Sequence, residues 1–362
     1  MMYIISVLII LINLIFNRNK YVTIASGVFL WIGMSFNNTI VDRAQYQKMY
    51  ENPLKFNEEW GYTHLQLLAG KFGLSFQVFF AILIGICLAF ALYTVVTNTT
   101  NPGFVIALYY IFPYLIDAAQ VRSFLSACIL TAIVPLLLKC NIKNIVLYIL
   151  GVFIASLFHY SAYFFLLLLI TYFLSWKIII PLFMILSFFL MKNIIPLLEI
   201  VSKIAPFLED KIERYLKPEL FTKPLELKYY TIYLLTLFFI TVVTYLILKN
   251  YSNAEKSFKR RIDTSVNLGA YSDLMLKIDG ILVIVLPLIS ISVSYDRIIR
   301  TVLLTHYIYF SNIFSSKASK TIKVLYFIVL LFFVLYYLWF FIYSRFPAAV
   351  FWPFFQGNLI FK

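Results

Sequence analysis

The chain of 362 residues is 62% hydrophobic and only 13% charged, with a formal net charge of +14. No soluble core absorbs that much apolar surface, and repeated runs of roughly 15–22 apolar residues match a helix crossing a ~30 Å hydrocarbon layer. The basic residues are scattered between such runs, so anionic lipid head groups suit them as partners and nucleic acid does not.

The runs are continuous rather than alternating, which argues against a membrane barrel. Helices satisfy their own backbone hydrogen bonds inside lipid, so the expected fold is an all-α polytopic membrane protein. Spans are expected near 2–16, 21–37, 74–97, 103–117, 121–138, 144–158, 160–175, 177–198, 228–248, 278–294, 298–316 and 323–343, about twelve crossings in one transmembrane domain over 1–362. Arg18 and Lys20 follow the first apolar segment instead of preceding it, the reverse of a cleavable signal. Pro102 and Pro181 sit at or near helix starts, where a missing N–H does least harm. No internal repeat or low-complexity linker divides the chain.

The loops alternate in character. One set carries Arg18 and Lys20, Lys139 and Lys143, Lys177, the cluster Lys249, Lys256, Lys259, Arg260, Arg261 and Lys277, and finally Lys317, Lys320 and Lys323. Its acids are few: Glu255, Asp263, Asp273 and Asp279. The positive-inside rule makes this set cytoplasmic and puts both chain ends outside. The other set mixes acids, bases and histidine. Its long members are the outer loops 38–73 and 199–227, opposite the basic inner loop 249–277. Asp42, Tyr46 and Tyr50 recur at four-residue spacing and share one face of a short helix. Ile200, Ile204, Phe207, Leu208 and Ile212 make the second loop amphipathic, suited to lying on the membrane or capping a cavity.

Ionisable residues near membrane depth are functional candidates, against the alternative of long side chains that snorkel to water. Arg122 follows Asp117, while Arg297 and Arg300 follow Asp296 and share a helical face. Three guanidinium groups on the outer side suit a diphosphate, each offering a planar fork of donors; a single interfacial anchor is the plainer role for any one of them. His159, at an outer turn, suits a proton shuttle or phosphate contact, or simply a satisfied structural position. For the deeper His306, packing or a helix–helix hydrogen bond is expected. Asp42, Glu59 and Asp296 are placed for general-base work, with Tyr46 and Tyr50 as rings for stacking on sugars; a solvated loop acid paired with Arg43 is the simpler account of Asp42. Cys87, Cys128 and Cys140 lack CxxC spacing, and there is no HExxH or DxD, so neither a disulfide nor a metal site is indicated. Walker, GxGxxG and GxSxG motifs are absent, so no nucleotide cofactor is expected.

The stretch DRAQYQKMY from Asp42 to Tyr50, EWGY from Glu59 to Tyr62, VRSFLSA around Arg122 and FHYSA from Phe158 to Ala162 resemble the EpsG family. So do the Asp296–Arg297 pair and the tail Trp352, Pro353, Phe354 and Phe355. The likeness runs in order through nearly the whole chain, leaving 199–227 and 249–277 unmatched. That family belongs with Wzy-like bacterial polysaccharide polymerases. The resemblance implies a fold of the glycosyltransferase C type in the bacterial cytoplasmic membrane. It implies transfer of a growing glycan from undecaprenyl diphosphate to the next lipid-linked repeat unit at the outer face, with inversion and without metal or cofactor. Under it Arg122, Arg297 and Arg300 hold the diphosphate, Asp42 or else Glu59 activates the acceptor, and His159 orients the diphosphate. Arg43, Tyr46, Tyr50 and Asp296 then bind substrate, and a chain-length regulator is a possible protein partner. The competing readings are a flippase or transporter of the same lipid-linked glycan and a membrane acyltransferase or glycan ligase. Apolar helix middles and the lack of a repeat tilt against transport.

Overall fold

A computed structural model describes residues 2–56, 59–204, 223–251 and 268–360. These residues are helical almost throughout, and the only extended pairing among them is an isolated bridge between Asn37 and Asn358. The first half comprises α1 (Met2–Ile15), α2 (Lys20–Ser35), α3 (Arg43–Glu51), α4 (Pro53–Phe56), α5 (Trp60–Lys71), α6 (Phe76–Asn98), α7 (Pro102–Ile111), α8 (Tyr114–Ala119), α9 (Val121–Ile133) and α10 (Ile142–Ser156). The second comprises α11 (Trp176–Ile204), α12 (Pro224–Tyr251), α13 (Leu268–Leu282), α14 (Val285–Ile291), α15 (Asp296–Ser311), α16 (Lys320–Tyr337) and α17 (Trp352–Gln356). Between α10 and α11, residues Tyr160–Tyr172 wind as a 3-10 helix.

Among the described residues, six helical runs are long and apolar enough to cross a membrane: Phe76–Asn98, Val121–Leu138, Trp176–Ile200, Glu226–Tyr251, Leu268–Ile291 and Lys320–Tyr343. Four shorter apolar helices accompany them, Met2–Ile15, Pro102–Ile111, Ile142–Ser156 and Tyr160–Tyr172. The chain is therefore a polytopic all-α membrane protein. Exposed apolar side chains such as Ile82, Phe90, Ile185, Phe188 and Phe332 cover the outer helices, where lipid is the solvent.

Several starts are fixed by side-chain caps. Asn19 accepts from Tyr21 N–H and Val22 N–H at the head of α2, Asn141 from Asn144 N–H at α10, and Ser319 from Ile322 N–H at α16. Pro102 occupies the first turn of α7. Prolines also break the ladder. The segment expected as one helix over 103–117 is divided at Phe112–Pro113 into α7 and α8, and the Tyr307 hydroxyl donates to the Phe112 carbonyl at 3.0 Å. The helix expected from 278 begins at Leu268 instead, so Asp273 and Lys277 form an ion pair of 2.6 Å on α13 rather than lying in a loop. Pro287 interrupts its continuation, and the carbonyl it leaves, that of Val283, accepts from the Ser187 hydroxyl at 3.0 Å. The amphipathic stretch expected over 199–227 and the basic loop 249–277 lie largely outside the described residues.

At the centre stands α15, packed by α7, α9 and α13. Every residue of α15 except Arg297 is buried, as are all ten of α7. Polar groups on so enclosed a helix need partners, and most of them have one, Thr305 Oγ1 and Arg300 Nε being the exceptions. Ser311 meets Thr99 at 2.5 Å, the Tyr309 hydroxyl donates to Ser272 at 2.9 Å, and His306 Nε2 meets Asp279 at 2.8 Å. The last is the interhelical hydrogen bond expected of His306. Such bonds inside a membrane bundle are worth about 0.6–2 kcal/mol each and set the register of α15 against its neighbours. That register places the first turn of α15 at the polar end of the bundle.

Candidate active site

Five loop or helix-start positions converge there. Glu59 precedes α5, and its carboxylate pairs with the Arg122 guanidinium in the first turn of α9. Both groups are largely buried, at 6% and 18% side-chain exposure, so the pair is shielded from water. Arg297, in the first turn of α15, donates Nε–H to the Ser294 carbonyl at 2.7 Å and lies 2.6 Å from His159 Nε2. Asp42 precedes α3, and its half-buried carboxylate feels the charges of both Arg122 and Arg297.

The loop carrying Glu59 is held by close backbone packing. A side chain on Gly61 would meet Leu157 Cβ at 2.5 Å and the Leu157 carbonyl oxygen at 2.9 Å, so only glycine lets α5 approach this close. The Tyr62 N–H then donates to that carbonyl at 3.2 Å. Two residues on from Leu157 is His159, so one contact positions the acid and the imidazole together.

His159 is engaged at both ring nitrogens. Nε2 faces Arg297, and Nδ1 meets the Ser161 hydroxyl at 2.7 Å and accepts from the Ser161 backbone N–H at 3.2 Å. The ring thereby orients Arg297. At Asp42, burial pushes the carboxyl above its usual range, and the neighbouring Arg122 and Arg297 pull it partly back.

A second, fully enclosed layer lies beneath. Arg300 donates to Asp117 at 3.1 Å, to Asp296 at 3.3 Å and to Gln120 at 2.6 Å, and Tyr109 adds a hydrogen bond to Asp117 at 3.1 Å. Arg300, Asp117 and Asp296 are all at least nine-tenths buried. Two carboxylates and an amide thus hold both terminal nitrogens of this arginine, whereas Arg297 is its helix's one unburied residue.

The remaining sequence candidates divide between the crevice and the wall behind it. Tyr46 is buried with its ring 5.9 Å from the Arg122 guanidinium. Arg43 turns toward α2 and α6, donating to the Ser35 carbonyl at 3.0 Å and to Gln77, and resting on the rings of Phe76 and Phe80 at 4.8 and 4.4 Å. Burial lowers its guanidinium to about 10, with Tyr62 opposing. The Tyr50 hydroxyl donates to the Leu74 carbonyl at 2.5 Å, and its ring packs on Phe76 and Phe79. Arg43 and Tyr50 thereby pin α3 to the bundle.

One nearby arginine escaped the sequence reading. Arg345, after α16, donates to Glu226 and to the Tyr230 hydroxyl, each at 2.9 Å, and lies within the field of Asp296. It is hidden in an aromatic run, and its partners are more than a hundred residues away. The signal available was a lone cation at an apolar segment's outer end.

The helices and this layered ionic network define an integral membrane protein with a polar site gathered at one end of an apolar bundle. The EpsG family model matches residues 20–355, and the chain belongs to the EpsG family, which is associated with Wzy-like polysaccharide polymerases. Comparison with curated proteins and with solved structures found no match.

Proposed function

We propose that the protein polymerises lipid-linked oligosaccharide repeat units at the outer face of the bacterial cytoplasmic membrane. In this reading all twelve apolar segments cross, in a glycosyltransferase C-type arrangement, and the donor is a glycan on undecaprenyl diphosphate. The observation that carries it is the convergence of Asp42, Glu59, Arg122, His159 and Arg297 from five separate segments. Arg122 and Arg297 face the diphosphate, with His159 holding the Arg297 fork in position. Arg300, held by its two carboxylates, forms the floor that fixes the first turn of α15.

The acceptor hydroxyl of the next repeat unit attacks the anomeric carbon and loses its proton to Asp42. The new carbon–oxygen bond forms as the bond to the diphosphate breaks, and the leaving group departs with the electron pair. Direct attack inverts the anomeric centre. Arginines preorganised around the departing charge are the main source of rate, and with them the reaction needs no metal in principle. A raised carboxyl is suited to the base's part, because it binds the proton more readily than an ordinary aspartate does. A chain-length regulator is the natural protein partner of such an enzyme.

The test is direct. Purified protein receives undecaprenyl-diphosphate oligosaccharide without ATP, and products are separated by size. A ladder of longer lipid-linked glycans is the expected result. Unchanged substrate that instead crosses a liposome membrane would replace polymerisation with flipping.

A further inference from the structure

Between α4, α5 and the start of α9 lies a crevice with room for about one water-sized group. Glu59, Tyr62, Thr63, Gln66 and Arg122 line it. Tyr62 and Gln66 are four residues apart, on one face of α5. Each is only 2% exposed, and neither the Tyr62 hydroxyl nor Gln66 Nε2 has a hydrogen-bond partner among the described residues. Leaving a buried donor unmade is costly, so two of them on residues that line one small space call for a ligand atom that satisfies both. Burial also keeps the Tyr62 phenol protonated, so it stays a donor.

We propose that Tyr62 and Gln66 form a notch that reads a single hydroxyl group of the bound glycan and so determines which sugar the site accepts. An oxygen there takes one hydrogen bond from the Gln66 amide and one from the Tyr62 phenol, and its own proton can turn to the Glu59 carboxylate. A phosphate is too large for the space and is repelled by Glu59. An apolar substituent would leave both donors unpaired. A site built to bond a hydroxyl rejects the analogue that lacks it far more strongly than an apolar pocket rejects a change of size. The inference rests on the glycan-polymerase reading for the identity of the ligand.

The experiment uses the full-length protein, its Tyr62→Phe and Gln66→Leu variants, the natural oligosaccharide and a set of analogues each lacking one hydroxyl. Binding is measured by calorimetry, elongation by product ladder and integrity by thermal melting. Wild-type protein is expected to bind one of the deoxy analogues about tenfold or more weakly than the natural glycan. Both variants should lose discrimination at that position alone, binding the two ligands within about twofold, while melting at or above the wild-type temperature. Wild-type binding that is equal for every analogue overturns the proposal, as do variants that keep the wild-type pattern; in either case the notch holds only water. A wild-type protein that shows the binding pattern but makes no ladder sinks the polymerase reading and leaves the notch standing. Phenylalanine fills the space of Tyr62, so that variant decides the matter even where the leucine disturbs α5.

Discussion

The enclosed layer around Arg300 offers the sharpest quantitative test of how the site is built. Arg300→Met removes the guanidinium and keeps most of the side-chain volume. It leaves Asp117 and Asp296, which are 6% and 7% exposed, facing each other without a cation. Breaking a buried ion pair by deleting one partner costs about 3–5 kcal/mol, because the stranded charge must neutralise or let water in. That corresponds to a factor of roughly 10²–10³ or more in the unfolding equilibrium. Unfolding in mixed micelles of mild and denaturing detergent, followed by circular dichroism, measures it. The triple change Arg300→Met, Asp117→Asn, Asp296→Asn removes the stranded charges and should recover most of the loss. If Arg300→Met unfolds with the wild-type protein, or the triple variant is no better than the single, the layer is not the buried strut described above.

The crevice arginines should behave in the opposite way. Arg297→Lys retains the charge but not the planar fork, so activity is expected to fall roughly 10–100-fold, as for loss of one charged hydrogen bond, with unchanged detergent stability; wild-type turnover would make Arg297 an interfacial anchor. If Asp42 takes the proton, activity is lost as pH falls through its carboxyl, which burial holds above the usual value, and Arg297→Gln should move that acid limb to higher pH by removing a counter-charge. The same raised value means Asp42 favours folding below its unfolded value and loses that contribution as pH rises through its folded one. Asp42→Asn should therefore abolish turnover while leaving neutral-pH stability equal or higher; an acid limb unmoved in Arg297→Gln would remove Asp42 from the role. The orientation is read from Cys140, which is exposed between Lys139 and Lys143, whereas Cys87 and Cys128 are buried. A membrane-impermeant maleimide should label it only after the cells are permeabilised, and labelling of intact cells would invert the orientation.

Much of the bundle is legible in the sequence because the membrane imposes one length and one polarity on every span. All twelve expected segments fall on helical residues. The interruptions are less visible. Pro113 and Pro287 are plain to read, yet whether a proline bends a helix or divides it depends on who takes the freed carbonyls. Here Ser187 takes the Val283 carbonyl left by Pro287, and Tyr307 the Phe112 carbonyl at the break, from 96 and 195 residues away. The start of α13 at Leu268 was obscured by the charges of Asp273 and Lys277, which suggest a loop until they are seen to pair along one face. The site residues were conspicuous as charges at one end, but their division of labour was not. Arg297 and Arg300 share a face and look equivalent, while in the fold one meets a histidine and the other two carboxylates.

That contrast is what the arrangement of α15 achieves. A helix buried on every side normally carries no ionisable group at all. In the Asp117–Arg300–Asp296 layer the Arg300 charge is met by carboxylates within the protein, so the helix can be enclosed down to its first turn. About one helical turn earlier, Arg297 is pinned by the Ser294 carbonyl and by the His159 ring at the edge of the crevice. The enclosed layer therefore supplies rigidity and the crevice supplies field. An anion arriving in the crevice meets a guanidinium whose position is fixed in advance, which is the condition under which electrostatic stabilisation costs no reorganisation at the moment of reaction. Replacing the ring by a carboxylate, in His159→Glu, should keep Arg297 in place and still remove activity, because an added anion at that contact repels the diphosphate.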